Sequence, residues 1–204
     1  MTDEMIQPQQ AYPIKRQGPF LVAGLGNPGR RYEHNRHNVG FMVLNRLSIK
    51  LGEHFGQVQS RSLVAKPNYM GEWVILVKPQ TYMNNSGNAV SSLVRFYQVP
   101  LDNLLVAYDD VDLPLGLLRI RPGGGSAGQK GMQSIIERLG TEEFPRLRIG
   151  TGRPPGRKEA ADYVLQDFRP DERDVLDETL DRAVEAVLTF FQFGLDRAMN
   201  SFNG

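Results

Sequence analysis

The 204-residue chain contains no cysteine. That excludes disulfides, thiolate metal sites and a cysteine nucleophile, and it fits a reducing compartment. Histidine is scarce, with only His34, His37 and His54 available for acid–base chemistry. No apolar run approaches the ~18 residues that would cross a bilayer, so no membrane association is expected. The sequence Gly-x-Ser-x-Gly does not occur, which leaves no serine set in a nucleophile elbow. Residues 1–17 are polar and lack the apolar core of a secretory signal. They are expected to form a flexible tail on a single domain spanning 18–204, in the cytoplasm.

What is present is a moderately apolar chain, 40% hydrophobic, with a formal charge of +1. The charge is unevenly spread. Residues 115–160 carry nine Lys/Arg against four Asp/Glu, and residues 161–204 carry four against ten. A basic middle segment is compatible with a polyanionic partner; on the charge count alone a solvated face balanced by the acidic segment that follows is the better reading. Short β-like runs alternate with helical ones. Strands are predicted at Phe20–Ala23, Ser62–Lys66, Trp73–Val77, Leu104–Tyr108, Leu117–Arg121 and Arg146–Gly150. Helices are predicted to begin near Asn38, Ser86, Gly128 and Asp171. The last has the stripe Leu176, Leu180, Ala183, Val184, Val187 and Phe191 at helical spacing. The alternation predicts an α/β fold: one domain, a twisted, mixed but mainly parallel sheet, and helices on both faces. Arg153 to Lys158 reads as an exposed loop.

The segment Gly24-Leu-Gly-Asn-Pro-Gly29 follows the first strand and matches G-x-G-x-x-G. A dinucleotide fingerprint needs a helix opening at the last glycine and an acid about 20 positions on. Here Pro28 stiffens the turn, Arg30 to Arg36 show no apolar period, and Asn45 and Arg46 stand where the acid belongs. The loop therefore presents polar side chains, Asn27 and His37 above all, and not a phosphate cradle.

Asn27, Asn84 and Asp109 each follow a predicted strand, and the carboxyl ends of strands form the ligand crevice of an open α/β sheet. His37 has an unperturbed pKa near neutrality and is the one good general base among them. Asp109 could hold its imidazole in the required tautomer. With no serine nucleophile, water activated by His37 is the expected attacking group, and the two asparagine amides could orient a carbonyl or stabilise an oxyanion. Other readings stay open. A lone histidine is often structural, an asparagine after a strand is often turn chemistry, and Asp109, Asp110 and Asp112 could form an acidic metal cluster, though with few further ligands at hand.

Six segments occur in order: Gly24-Leu-Gly-Asn-Pro-Gly29, Arg36-His-Asn38, Lys78-Pro-Gln-Thr-Tyr-Met-Asn-Asn-Ser-Gly87, Asp109-Asp-Val-Asp-Leu-Pro-Leu-Gly116, Gly123-Gly-Gly-Ser-Ala-Gly-Gln-Lys-Gly131 and Phe144-Pro-Arg-Leu-Arg-Ile-Gly-Thr-Gly152. Together they resemble the bacterial-type peptidyl-tRNA hydrolases, from about Phe20 to the last predicted helix. The resemblance implies hydrolysis of the ester between a peptide and tRNA, by a monomer with no metal or organic cofactor. It implies a catalytic pair in His37 and Asp109, and substrate positioning by Asn27, Tyr32, Met83 and Asn84. It also places Arg119, Arg121, Arg146 and Arg148 near tRNA, where phosphate contacts give affinity without reading sequence. Many family members read Gly-His-Asn-Gly where this chain has Gly128-Gln-Lys-Gly131, so the family's third functional asparagine is Lys130 here. Lysine cannot accept a hydrogen bond; it would contact a phosphate or a substrate carboxylate, or only assist. A non-enzymatic RNA-binding member of the fold, like organellar relatives that assist intron splicing, is the alternative.

Overall fold

The computed structural model describes residues 18–154 and 159–204. The predicted N-terminal tail and positions 155–158 of the predicted loop lie outside the described residues. Four parallel strands make the centre of the sheet: β1 (Phe20–Gly24), β5 (Glu72–Pro79), β6 (Leu104–Asp110) and β8 (Arg146–Gly150). On one side β3 (Ser62–Ala65) and β2 (Gln57–Gln59) add antiparallel; on the other, β7 (Leu118–Arg121) adds antiparallel to β8. The order is β2-β3-β5-β1-β6-β8-β7, with the two-residue β4 (Asn68–Tyr69) paired to β5. The predicted mixed, mainly parallel α/β sheet is what forms. The strands β2 and β4, too short and polar to show an apolar run, were not expected.

Helices cover both faces. Helix α1 (Val39–Lys50), α5 (Arg173–Phe193) and α6 (Leu195–Phe202) bury one apolar cluster with Val22, Leu76 and Leu105. Helices α2 (Ser86–Phe96) and α3 (Lys130–Leu139) bury the other with Leu21, Val77 and Val106. Neighbouring strand residues thus point to opposite clusters, as the two-residue period requires. Gly140, in the left-handed region with φ 75°, stops α3 as its position suggested. The helix predicted from Asp171 opens with a 3-10 turn at Pro170–Glu172, and Gly194 separates it from α6. The short α4 (Ala160–Val164) and α6 were also unforeseen.

The glycines of the first loop answer the fingerprint question. A Cβ on Gly24 would lie 2.3 Å from the Gly40 carbonyl oxygen, and one on Gly40 would lie 2.4 Å from the Ala107 carbonyl oxygen. A Cβ on Gly26 would strike the Phe41 ring at 2.8 Å. These glycines let α1 press on β1 and β6. They are packing glycines, and the residues after Gly29 form 3-10 turns at Arg30–Tyr32 and Arg36–Asn38 where a nucleotide fold needs a helix. Because the obstructing atoms are backbone, Gly40→Ala should cost about 3 kcal/mol or more, roughly 6–12 °C in Tm at this size. Gly52→Ala, at φ 70° with open space around it, should cost only about 1 kcal/mol. Thermal unfolding of the two variants checks this; equal losses would refute the packing account.

Candidate active site

The chain leaves β1, goes to β5 through α1 on one face, and comes back to β6 through α2 on the other, so β1 and β6 flank the point where the winding reverses. Open sheets bind ligands at such points, beyond the strand ends. A cleft of about 380 Å³ lies there, lined among others by Asn27, His37, Asp109, Gln129 and Lys130.

His37 sits in the 3-10 turn that leads into α1, with its side chain 12% exposed. Its Nδ1 lies 2.8 Å from Oδ2 of Asp109, whose side chain is 3% exposed. A buried carboxylate accepts there, so the ring's Nδ1 carries the proton and Nε2 is left as the basic nitrogen. Asp109 belongs to β6 itself and does not follow it; the strand runs two residues past the predicted end at Tyr108. Its second oxygen accepts from Gln129 Nε2 at 3.1 Å. Gln129 caps α3, its Oε1 accepting from the Met132 N–H at 2.7 Å. The start of α3 and Asp109 are thus tied through one amide. Sequence reading missed Gln129: glutamine is not a favoured cap, and its carboxylate partner lies twenty residues away.

Asn27 is held on three sides. Its N–H donates to Asn38 Oδ1 and its carbonyl accepts from Asn38 Nδ2, both at 2.9 Å; its Oδ1 accepts from the Met83 N–H at 2.9 Å. Only its Nδ2 remains for the cleft. Asn38, unassigned from sequence, therefore fixes the loop between β1 and α1. Met83 is buried, with its sulfur 3.3 Å from Gln129 Nε2. It forms support beneath the site. Asn84, next in the chain, is exposed, and Tyr32 is half-buried with Arg31 5.8 Å from its ring centre. Neither lines the cleft. Lys130 opens α3, exposed at the cleft wall, where the positive end of the helix dipole adds to its charge. His34 and His54 are exposed, as surface residues would be.

The opposite wall is apolar, from Ala160, Ala161, Val164 and Leu165 of α4 and the residue after it. Arg36, beside His37 and only 1% exposed, fastens this wall. It donates to the Asp167 carbonyl, pairs with Glu172, and lies 4.3 Å from the ring centre of Tyr163 and 4.8 Å from that of Phe168. The local sequence gave no sign of it, because every partner comes from a segment more than 125 residues away.

The three aspartates do not gather. Asp110 pairs with Arg148 and Asp112 with Arg153, and no group of three potential metal ligands occurs among the described residues. The cross-strand pairs Arg119–Arg148 and Arg121–Arg146 put the four arginines on one face of β7 and β8. One of them must be reassigned. Arg146 is 1% exposed and donates to the carbonyls of Gly124, Gly125 and Glu142. Burial lowers the pKa of its guanidinium, although Tyr108 beside it acts the other way. Arg146 holds the glycine-rich loop and cannot reach a phosphate; Arg121 is exposed, and Arg119 and Arg148 are half-buried.

A family model described as peptidyl-tRNA hydrolase matches residues 21–204. The chain belongs to this family. A peptidyl-tRNA hydrolase of Thermoanaerobacter sp. (strain X514) is 49% identical over 185 residues, 91% of this chain and 100% of that one. One of Carboxydothermus hydrogenoformans is 50% identical, over 90% of this chain and 98% of its own. The crystal structure of peptidyl-tRNA hydrolase from Acinetobacter baumannii superposes with a TM-score of 0.84 at 33% identity, covering 90% of this chain and 95% of that one. No helix among the described residues is long and apolar enough to cross a membrane.

The burial of Arg146 makes a testable division. Arg146→Ala should destabilise by about 3 kcal/mol, because carbonyls bonded to a charge lose their donor. Arg121→Ala should stay within about 0.5 kcal/mol of the parent. Urea unfolding of both variants checks this, and the reverse order would return Arg146 to the RNA-facing set.

Proposed function

We propose that this chain hydrolyses the ester joining a peptide to the terminal ribose of tRNA, with His37 as general base acting on water. The observation that carries the reading is the 2.8 Å contact between His37 and buried Asp109 at the mouth of a cleft, in a chain whose family is peptidyl-tRNA hydrolase. A non-catalytic RNA binder would have no use for an imidazole aligned on a buried carboxylate.

His37 Nε2 takes a proton as the water oxygen bonds to the ester carbonyl carbon, and Asp109 stabilises the resulting imidazolium. The carbonyl oxygen becomes an oxyanion, which the Asn27 amide and the amino end of α3 would stabilise. The intermediate collapses by breaking the bond to the ribose oxygen, which recovers the proton from His37. The products are a peptide carboxylic acid, which gives its proton to water, and tRNA with a free terminal hydroxyl. Protein groups supply each step, and no metal is required. The α4 wall offers contact to apolar parts of the substrate, while Asn84 and Tyr32 would meet it only beyond the cleft. Arg119, Arg121 and Arg148 would contact tRNA phosphates without regard to sequence. The chain would act as a monomer in the cytoplasm.

His37→Ala should lower kcat by about 10²–10⁴-fold with little change in tRNA affinity. Asp109→Asn should cost less, since it misorients the base without removing it. Release of labelled acyl-peptide from peptidyl-tRNA measures both, and full activity in His37→Ala would sink the mechanism. Lys130 contributes charge at the cleft entrance, so Lys130→Ala should raise KM more than it lowers kcat, the mark of lost uniform binding. A fall in kcat at constant KM would place Lys130 on the transition state.

A further inference from the structure

A second cavity, of about 510 Å³, lies away from the cleft. One wall is a face of α2, where Asn88, Ser91, Ser92 and Arg95 recur at helical spacing. Arg138 from the last turn of α3 and Arg61 from the turn between β2 and β3 close the other sides. No Asp or Glu lines it. Some surface basic side chains have carboxylate partners, Arg46 with Asp177 and Asp181, Lys50 with Glu185 and Arg153 with Asp112, while others, such as Arg30, Arg31 and Arg173, stand singly without one among the described residues. Among the described residues, Arg61, Arg95 and Arg138 have none. The nearest acid in sequence, Glu137, accepts from Gln133 Nε2 at 3.0 Å.

Three arginines drawn into one groove repel one another, so a structural reason for each has to be weighed. Arg95 and Arg138 stand in the last turns of their helices, where a cation offsets the dipole. Arg95 also donates to the Arg138 carbonyl at 3.2 Å. That accounts for two of the three. It does not account for Arg61, which reaches the groove from a strained turn. Ser60 and Arg61 have φ of 47° and 56°, values that two-residue hairpins usually give to Asn-Gly. The Gln80 N–H donates to the Arg61 carbonyl at 2.7 Å and holds the turn in place.

We propose that this groove is a second phosphate-binding surface for the RNA body, separate from the basic face of β7 and β8. The proposal rests on the tRNA substrate given above. Guanidinium forks with hydroxyl and amide neighbours are a chemistry that recognises phosphate oxygens. The α2 face from Asn88 to Arg95 runs about 10 Å at 1.5 Å per residue, a length for successive backbone phosphates more than for one small anion. Arg61 stands toward the catalytic end of the sheet. Ser62, next to Arg61, pairs with Pro79 at the carboxyl end of β5, the end at which His37 and Asp109 meet. Arg61 and Arg121 belong to opposite edges, six strand spacings or roughly 29 Å apart. RNA whose 3′ end lies in the central cleft would meet cations on both sides.

The test is equilibrium binding of labelled, uncharged tRNA across a salt series, for the parent, Arg61→Ala, Arg61→Lys and the triple variant Arg61→Ala/Arg95→Ala/Arg138→Ala. Each lost cation should lower the slope of log K against log salt by about 0.7–0.9, and Arg61→Lys should keep the parent slope. Hydrolysis of an acylated trinucleotide, which carries the ester but no RNA body, should stay unchanged in all variants. Unaltered slope and affinity in the triple variant would overturn the proposal. So would protection of the parent from melting by inorganic phosphate combined with unaltered tRNA binding by the triple variant, since the groove would then hold free anion alone. Arg61 lies on an exposed turn, so Arg61→Ala decides the question even if the triple variant unfolds. Uncharged tRNA keeps the result independent of whether His37 cleaves the ester.

Discussion

Helix α1 can lie on strands β1 and β6 only because Gly24 and Gly40 present no Cβ at their crossing, where backbone atoms would stand within 2.4 Å of one. That approach fixes the height of α1 above the sheet and hence the position of the turn just before it. His37 lies in that turn, and Asp109 in the next-to-last position of β6. Their 2.8 Å contact is therefore set by packing of rigid elements, with the loop merely carrying the side chain. Asn38, at the same helix start, clamps Asn27 by two hydrogen bonds, so one crossing positions the His37 imidazole and the Asn27 amide together.

Buried charge supplies the remaining order. Leaving water costs an ion several kcal/mol unless good geometry repays it, and each buried ion here has several partners. Asp109 has His37 and Gln129; Arg36 has Glu172, a carbonyl and two rings; Arg146 has three carbonyls and the Phe144 ring at 4.7 Å. Arg36 joins the apolar wall to the turn that carries His37, and Arg146 joins the glycine-rich loop to β8. The two walls of the cleft are each pinned by a buried guanidinium, a residue type able to hold its charge and point several donors at fixed carbonyls.

The central strands and the four main helices were legible because their apolar periods are long and their caps explicit, as at Gly140. Residues that act through their own chemistry were legible too: His37 stands out when three histidines are all the chain has. Short elements such as β2 and α4 escaped because two to five residues carry no period. Supporting residues escaped for another reason. Gln129, Arg36 and Asn38 matter through partners distant in sequence, and nothing local to them reports those partners. Arg146 shows the opposite error. Its alternation with Arg148 reads as an open basic strand, but the loop that follows β7 folds back over one of the two, and only tertiary structure says which.

The charge asymmetry along the chain becomes spatial in the fold. Asp177, Asp181 and Glu185 of α5 pair with Arg46 and Lys50 of α1, on the face of the sheet opposite α2 and α3. They are therefore not the partners of Arg119, Arg121 and Arg148, and the acidic segment does not neutralise the basic one. Exposed pairs of this kind add ~0–1 kcal/mol each to stability, so their energetic value is small. Their consequence is directional. Between α1 and α5 the cations Arg46 and Lys50 are matched by acids, while among the described residues Arg61, Arg95 and Arg138 on the α2–α3 face and Arg121 on the β7 edge have no acidic partner. Those are the cations that the proposed tRNA contacts would use.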